Sequence, residues 1–121
     1  MITELWDPSS ALALAIPHQP CSRFFKWERS GGIVYLAVNQ RGDVLECHLA
    51  ADRRGKRQLR VAVNQLSQWL FMSCPTANRI VSYAMKNSMK NLVRKCGFRL
   101  VARLVCASAD RAELEILMRC R

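Results

Sequence analysis

Hydrophobic and polar positions along this chain follow two rhythms. Between residues 24 and 49 the apolar residues gather into short runs broken by turn residues. Phe24 to Glu28, Ile33 to Val38 and Val44 to Leu49 are runs that read as strands, β-branched and aromatic residues being prominent in the first two. Ser30-Gly31-Gly32 and Asn39-Gln40-Arg41-Gly42-Asp43 supply turn chemistry between them, which makes the three an antiparallel meander. From Lys56 to Met72 the pattern changes. Leu59, Ala62, Val63, Leu66, Trp69 and Leu70 recur at the spacing of one helical face, with Arg57, Arg60, Asn64, Gln65, Ser67 and Gln68 largely off it. Cys74-Pro75-Thr76-Ala77-Asn78 ends that helix, and Ile80 to Met85 then suits a buried strand. Ser88 to Cys96 reads as a second, shorter helix with Met89, Leu92, Val93 and Cys96 inward and Gly97 as its C-terminal cap. Phe98 to Cys106 and Ala112 to Cys120 alternate around a Ser108–Arg111 hairpin. Leu100, Ala102 and Leu104 are expected on one face there, Arg99 and Arg103 on the other.

Ahead of the meander, Met1 to Trp6 suits a short strand. Asp7-Pro8-Ser9-Ser10 starts a short helix, with a capping side chain and a proline near its first position. Pro17 and Pro20 bracket an irregular segment after it. The β-α-β step from Val44 to Met85 places its two strands parallel, because a crossover helix joins them. The expected class is therefore α/β (α+β): a mixed central sheet of about six to seven strands with one parallel pair and flanking helices. At 121 residues the chain is expected to form one domain over residues 1–121.

Composition narrows this further. Half the residues are hydrophobic and 23% are charged, enough for a packed core and unlike a disordered chain. The apolar run Ala11 to Ile16 stops at Pro17 and lacks a basic leader, so neither a membrane span nor a secretory signal is expected. A cytoplasmic protein, or one carried in a virion assembled in the cytosol, is the expectation. The six cysteines (Cys21, Cys47, Cys74, Cys96, Cys106 and Cys120) are widely spaced without a Cys-x-x-Cys, and only His18 and His48 could complete a zinc shell. No metal site is expected; all but Cys21 lie in or beside apolar runs and read as core thiols. Nineteen Lys and Arg against nine Asp and Glu give a net charge of +10. That balance favours a polyanionic partner: nucleic acid, an anionic membrane surface or a phosphate-rich cofactor.

Two segments carry a family resemblance. His48-Leu49-Ala50-Ala51-Asp52-Arg53-Arg54-Gly55-Lys56-Arg57-Gln58-Leu59 is similar to the strand, basic phosphate-binding loop and helix start of the GNAT superfamily of N-acetyltransferases. Asn87-Ser88-Met89-Lys90-Asn91-Leu92-Val93-Arg94-Lys95-Cys96-Gly97-Phe98 resembles that superfamily's late motif, an Asn before a short helix that ends in Lys-x-Gly-Phe. The resemblance implies a GNAT-like sheet with a splayed parallel pair, binding of acetyl-coenzyme A (acetyl-CoA), and acetyl transfer to an amine. It places the cofactor against Leu49, Arg54, Gly55, Lys56, Arg57, Gln58, Leu59 and Asn87. Loop amides and a helix N-terminus suit phosphate because both present unsatisfied N–H groups. Arg53, Arg54, Lys56, Arg57 and Arg60 crowd that helix start, where cations oppose the macrodipole unless an anion sits among them. A solvated basic helix end is the alternative reading.

The resemblance also implies a general base on the strand before the loop, where Glu46 and His48 share a face. Only an unprotonated amine attacks a thioester, so a base is needed, and an imidazole titrates in the useful range. The tyrosine that protonates the departing thiolate is replaced by Val93, and Tyr83 is the candidate substitute. Arg57 and Leu59 stand where the family's loop carries glycine, and glycine or alanine. These departures keep a second reading open, a GNAT-fold scaffold without catalysis. The chain also resembles the short acetyltransferase-like proteins of tailed phages, some of which are virion components with virion proteins as partners. A third reading is a nucleic-acid binder that joins Lys86, Lys90, Arg94 and Lys95 to the Arg53–Arg60 cluster, with Phe24, Phe25, Trp27 and Tyr35 as exposed stacking candidates.

Overall fold

Each rhythm in the sequence has a counterpart in the computed structural model, which describes residues 1–12, 14, 22–84, 87–105 and 113–121. The order is β1 (Ile2–Leu5), α1 (Ser9–Leu12), β2 (Arg23–Arg29), β3 (Gly32–Arg41), β4 (Val44–Ala51), α2 (Arg53–Lys56), α3 (Leu59–Ser73), β5 (Arg79–Ala84), α4 (Asn87–Lys95), β6 (Arg99–Val105) and β7 (Glu113–Cys120). His18, Cys21, Met85, Lys86, Cys106 and the Ser108–Arg111 link lie outside the described residues.

The strands form one seven-stranded sheet in the order β1-β2-β3-β4-β5-β7-β6. Strands β1 to β4 run as an antiparallel meander, as the turn residues require. β4 and β5 pair in parallel, because α3 carries the chain back between them. β7 then inserts antiparallel beside β5 and leaves β6 on the edge.

One face of the sheet packs against α3 and α4. Trp27, Val34, Leu36, Leu45, Leu66, Val93 and Leu117 are buried there at 2% exposure or less. The indole N–H of Trp27 donates to Gln65 Oε1 at 2.8 Å, so burying the ring leaves no orphaned donor. A smaller cluster of Ala11, Phe24, Tyr35 and Ala37 lies apart from it. The aromatic side chains read as exposed stacking candidates are therefore core: Phe24, Phe25, Trp27 and Tyr35 are all buried.

Gly97 closes α4 as expected. Its φ is 86°, the Phe98 N–H donates to the Val93 carbonyl and the Gly97 N–H to that of Arg94, the two bonds of a Schellman motif. The expected alternation of β6 fails. The register shifts between Leu100 and Ala102, so Leu100 pairs with Leu117, Arg103 with Glu115, and Ala102 with Ile116. A bulge at Val101 thus separates Leu100 from Ala102 and Leu104 and puts it on the face of Arg103. Cys47 and Cys96 are core thiols, Cys74 is half-buried, and Cys120 is exposed rather than buried.

Candidate functional site

β4 and β5 stay paired for only part of their length. Their ladder runs from Val44↔Arg79 to Cys47↔Ser82. Beyond it β4 continues beside β3 as far as Ala51, and β5 continues beside β7 as far as Ala84. Each strand follows its outer neighbour, so the two part, and the facing backbone edges past Cys47 and Ser82 lose their sheet partners. This happens at the carboxyl ends of the parallel strands, where crossover helices begin and where open α/β sheets bind ligands.

Alternation distributes the side chains at the parting. Cys47, Leu49 and Ser82 face the helices and line a cavity of about 30 Å³ with Val63, Val93 and Phe98. Glu46, His48 and Tyr83 lie on the opposite face. The rings of His48 and Tyr83 stack across the mouth, centroids 5.7 Å apart and planes 15° apart. Glu46 Oε1 lies 3.4 Å from the Arg41 guanidinium. Burial raises the pKa of the Tyr83 phenol, and the Glu46 carboxylate adds to the rise while Arg41 opposes it. Val93 is fully buried in the core.

The chain leaves β4 through the segment that resembles a basic phosphate-binding loop, and there it forms a short helix of its own, α2, before α3 begins at Leu59. Asp52 makes it a separate turn. Its Oδ1 accepts from the N–H groups of Gly55 (2.6 Å) and Ile33 (3.1 Å), and its own N–H donates to the Ile33 carbonyl (3.1 Å). Those amides hold the carboxyl below the usual aspartate range. Gln58 Nε2 donates to the Arg29 carbonyl at 2.8 Å, tying the far side of the turn to the same hairpin. Asp52 is the residue the sequence reading missed. Its signal is an aspartate three residues before a glycine at a helix start, the pattern of an N-cap.

The candidate cofactor residues thus divide into two groups. Gly55 and Gln58 are engaged with the β2–β3 hairpin. Arg53, Arg54, Lys56, Arg57 and Arg60 are exposed, and none forms an ion pair among the described residues. Gln58, the N-cap of α3, makes no side-chain cap bond. The Ala62 N–H, which reaches the Gln58 carbonyl at 2.9 Å, follows the amides of Leu59, Arg60 and Val61 that open the helix. The Leu59 side chain packs against the core. Asn87 opens α4 just after β5, but its side chain lies outside the described residues.

No family model matches the sequence, and no curated protein does. Solved structures do match. A chimera of spermidine N-acetyltransferase SpeG from Vibrio cholerae and hSSAT superposes with a TM-score of 0.66 and 20% identity, over 85% of this chain and 69% of that one. A mutant form of the spermidine/spermine N-acetyltransferase SpeG from Vibrio cholerae gives 0.65 and 18%, over 85% and 69%. A protein described as a putative phosphinothricin N-acetyltransferase gives 0.66 and 15%, over 94% and 78%. The chain has the fold of these N-acetyltransferases.

Within this N-acetyltransferase fold the basic surface differs from the one the sequence suggested. Lys90 is buried, and Arg94 is paired with the buried Glu115 at 2.9 Å. Lys95 remains exposed beside Cys96, whose thiol reaches the Arg60 carbonyl at 3.7 Å. Of the described cations read as one surface, Arg53, Arg54, Lys56, Arg57, Arg60 and Lys95 stay exposed without an ion pair among the described residues. No helix among the described residues is long and apolar enough to cross a membrane.

Proposed function

We propose that this chain is an N-acetyltransferase that uses acetyl-coenzyme A to acetylate an amine. The observation that carries this reading is the parting of β4 and β5 beside a helix start whose five exposed cations form no ion pair among the described residues. A bound acetyl-coenzyme A supplies an activated acetyl thioester. Arg54, Lys56 and Arg57, with the opening amides of α3 at Leu59, would hold its phosphates. The unpaired edge of β4 at Leu49 would take the pantetheine, and Asn87 would border it at the start of α4.

The fit is an altered one. Gly55 gives its amide to Asp52 and its open face to Ile33, so Gly55 and Gln58 shape the loop instead of lending it free amides. Phosphate would then be held by side chains and the helix end. That accounts for Arg57 in place of a glycine: where backbone cannot close on the anion, a guanidinium can reach it.

His48 is the base in this reading. It takes the proton from the acceptor amine, while Glu46 keeps its ion pair with Arg41 and sets the field around the mouth. Tyr83, stacked on His48 and kept protonated by its surroundings, is the acid that returns a proton to the departing thiolate. The concentration of cations favours an acidic acceptor, or an amine on a protein held by nucleic acid.

Calorimetric titration with acetyl-coenzyme A and desulfo-coenzyme A, repeated at raised salt, tests the reading. Saturable micromolar binding that survives moderate salt is expected. A folded protein that binds neither at millimolar concentration would overturn it and turn the search to nucleic-acid and assembly partners.

A further inference from the structure

A second cavity lies toward the other end of α3. The last turns of the helix stand over the start of β2, the end of β3 and the start of β4, around a cleft of about 360 Å³. That volume falls within the range of roughly 300–1,000 Å³ usual for small-molecule sites. The cavity at the parted strands, about 30 Å³, has room for about one water.

The lining sets the chemistry. Phe25, Val38, Leu45 and Leu70 are buried residues that form an apolar floor. Trp69 forms a wall, its ring edge-on to Phe25 with centroids 4.8 Å apart. At the rim the Arg23 guanidinium lies over the Phe25 ring, 5.2 Å from its centroid. Glu4 holds it through two bonds of 2.9 and 2.8 Å, so the one cation among the described lining residues is already neutralised. Gln40 commits its amide nitrogen to the Gly42 carbonyl and to Thr76 Oγ1, both at 3.0 Å, which leaves its oxygen as an acceptor. The Ser73 hydroxyl on the rim adds a second.

We infer that this cleft is a binding site for a small, uncharged heteroaromatic molecule that offers an N–H donor. Aromatic walls favour a planar ring, a neutralised rim gives no return for bringing in a charge, and the acceptors call for a donor. The site is independent of the acetyl-transfer reading. It does share a wall with the parting of β4 and β5, because Leu70 lines both cavities.

The test is a titration of the full chain with indole, followed through the NMR signals of isotope-labelled Val and Leu methyl groups. The Val38, Leu45 and Leu70 methyls are expected to shift and saturate. Ser73 is exposed at the end of α3, so Ser73→Trp should fill the mouth without touching the core. It is expected to weaken indole binding by at least about tenfold with an unchanged melting temperature. Indole-3-carboxylate is expected to bind about tenfold more weakly than indole. The inference is overturned if the methyls of these three residues stay put at millimolar indole, if Ser73→Trp binds indole as the parent does, or if the carboxylate binds more tightly. Acetyl-coenzyme A titration of Ser73→Trp should match the parent, so a failure here stays separate from a failure at the other end of the helix.

Discussion

The α-carbon of Gly55 rests so close to Ile33 that a β-carbon there would lie 2.1 Å from the Ile33 carbonyl oxygen. Both partners are backbone, one in the loop after β4 and one in the β2–β3 hairpin, so no flexible side chain can yield. Gly55→Ala is therefore expected to lift α2 off the hairpin and cost about 3 kcal/mol in denaturant unfolding. An unfolding midpoint equal to the parent's would show that the loop adjusts freely.

Asp52 ties the same contact together, and its effect depends on pH. The Gly55 and Ile33 amides depress its pKa in the folded chain. A depressed carboxylate contributes stability above its unfolded pKa of about 3.9 and loses it as pH falls through the folded value. Asp52→Ala is expected to cost about 1 kcal/mol at neutral pH, the usual size for a lost N-cap. Asp52→Asn keeps an acceptor oxygen that does not titrate. Its stability should therefore fall less than the parent's as pH drops below about 4, measured by thermal melts across that range. Parallel pH curves for parent and Asp52→Asn would remove Asp52 from the account.

The helical stripe from Leu59 to Leu70 shows how much of this fold the sequence carried. Periodicity placed Leu59, Leu66, Met89 and Leu92 alike in the core, yet only Leu66 is buried, at 2% exposure, while the others pack half-buried at its border. Leu66→Ala is expected to cost about 3–5 kcal/mol and Leu59→Ala no more than half of that, by chemical denaturation. Equal losses would contradict the burial difference. Spacing reports direction from the helix axis; it does not report how far neighbouring elements extend over each position. The strand order was legible in outline because turn residues and a crossover helix fix the meander and the parallel pair. The Val101 bulge was not, since its register shift is seen only in the pairing with β7. The candidate site was legible in part. Alternation put Glu46 and His48 on one face, but the Tyr83 ring stack and the engagement of Gly55 depend on contacts between elements distant in sequence.

Thiol reactivity follows burial. Cys47 is buried, which pushes its pKa up to about 12, with Cys74 and Glu46 adding to the rise. Since the thiolate is the reactive form, native protein treated with iodoacetamide at neutral pH should be modified at exposed Cys120 and spared at Cys47 and Cys96. Peptide mapping checks this. Rapid alkylation of Cys47 in folded protein would mean that the parted strands open far more widely.

The stacked pair of His48 and Tyr83 makes the sharpest claim about chemistry. If Tyr83 donates a proton, the phenol must be protonated, and activity limited by it falls as pH rises through its pKa. Burial and the Glu46 carboxylate raise that pKa, so the alkaline limb should lie above the ordinary tyrosine value of about 10. Tyr83→Phe is expected to lower kcat by about a hundredfold, leave acetyl-coenzyme A affinity unchanged and abolish that limb. His48→Ala is expected to lower kcat by a similar factor at every pH, because the base is then missing. Loss of the alkaline limb separates the Tyr83 role from a purely structural one. A ring that only packs the mouth would change affinity or melting temperature and leave the shape of the pH profile intact. Full pH profiles of the three proteins, with acetyl-coenzyme A and an acidic amine acceptor, decide between the two.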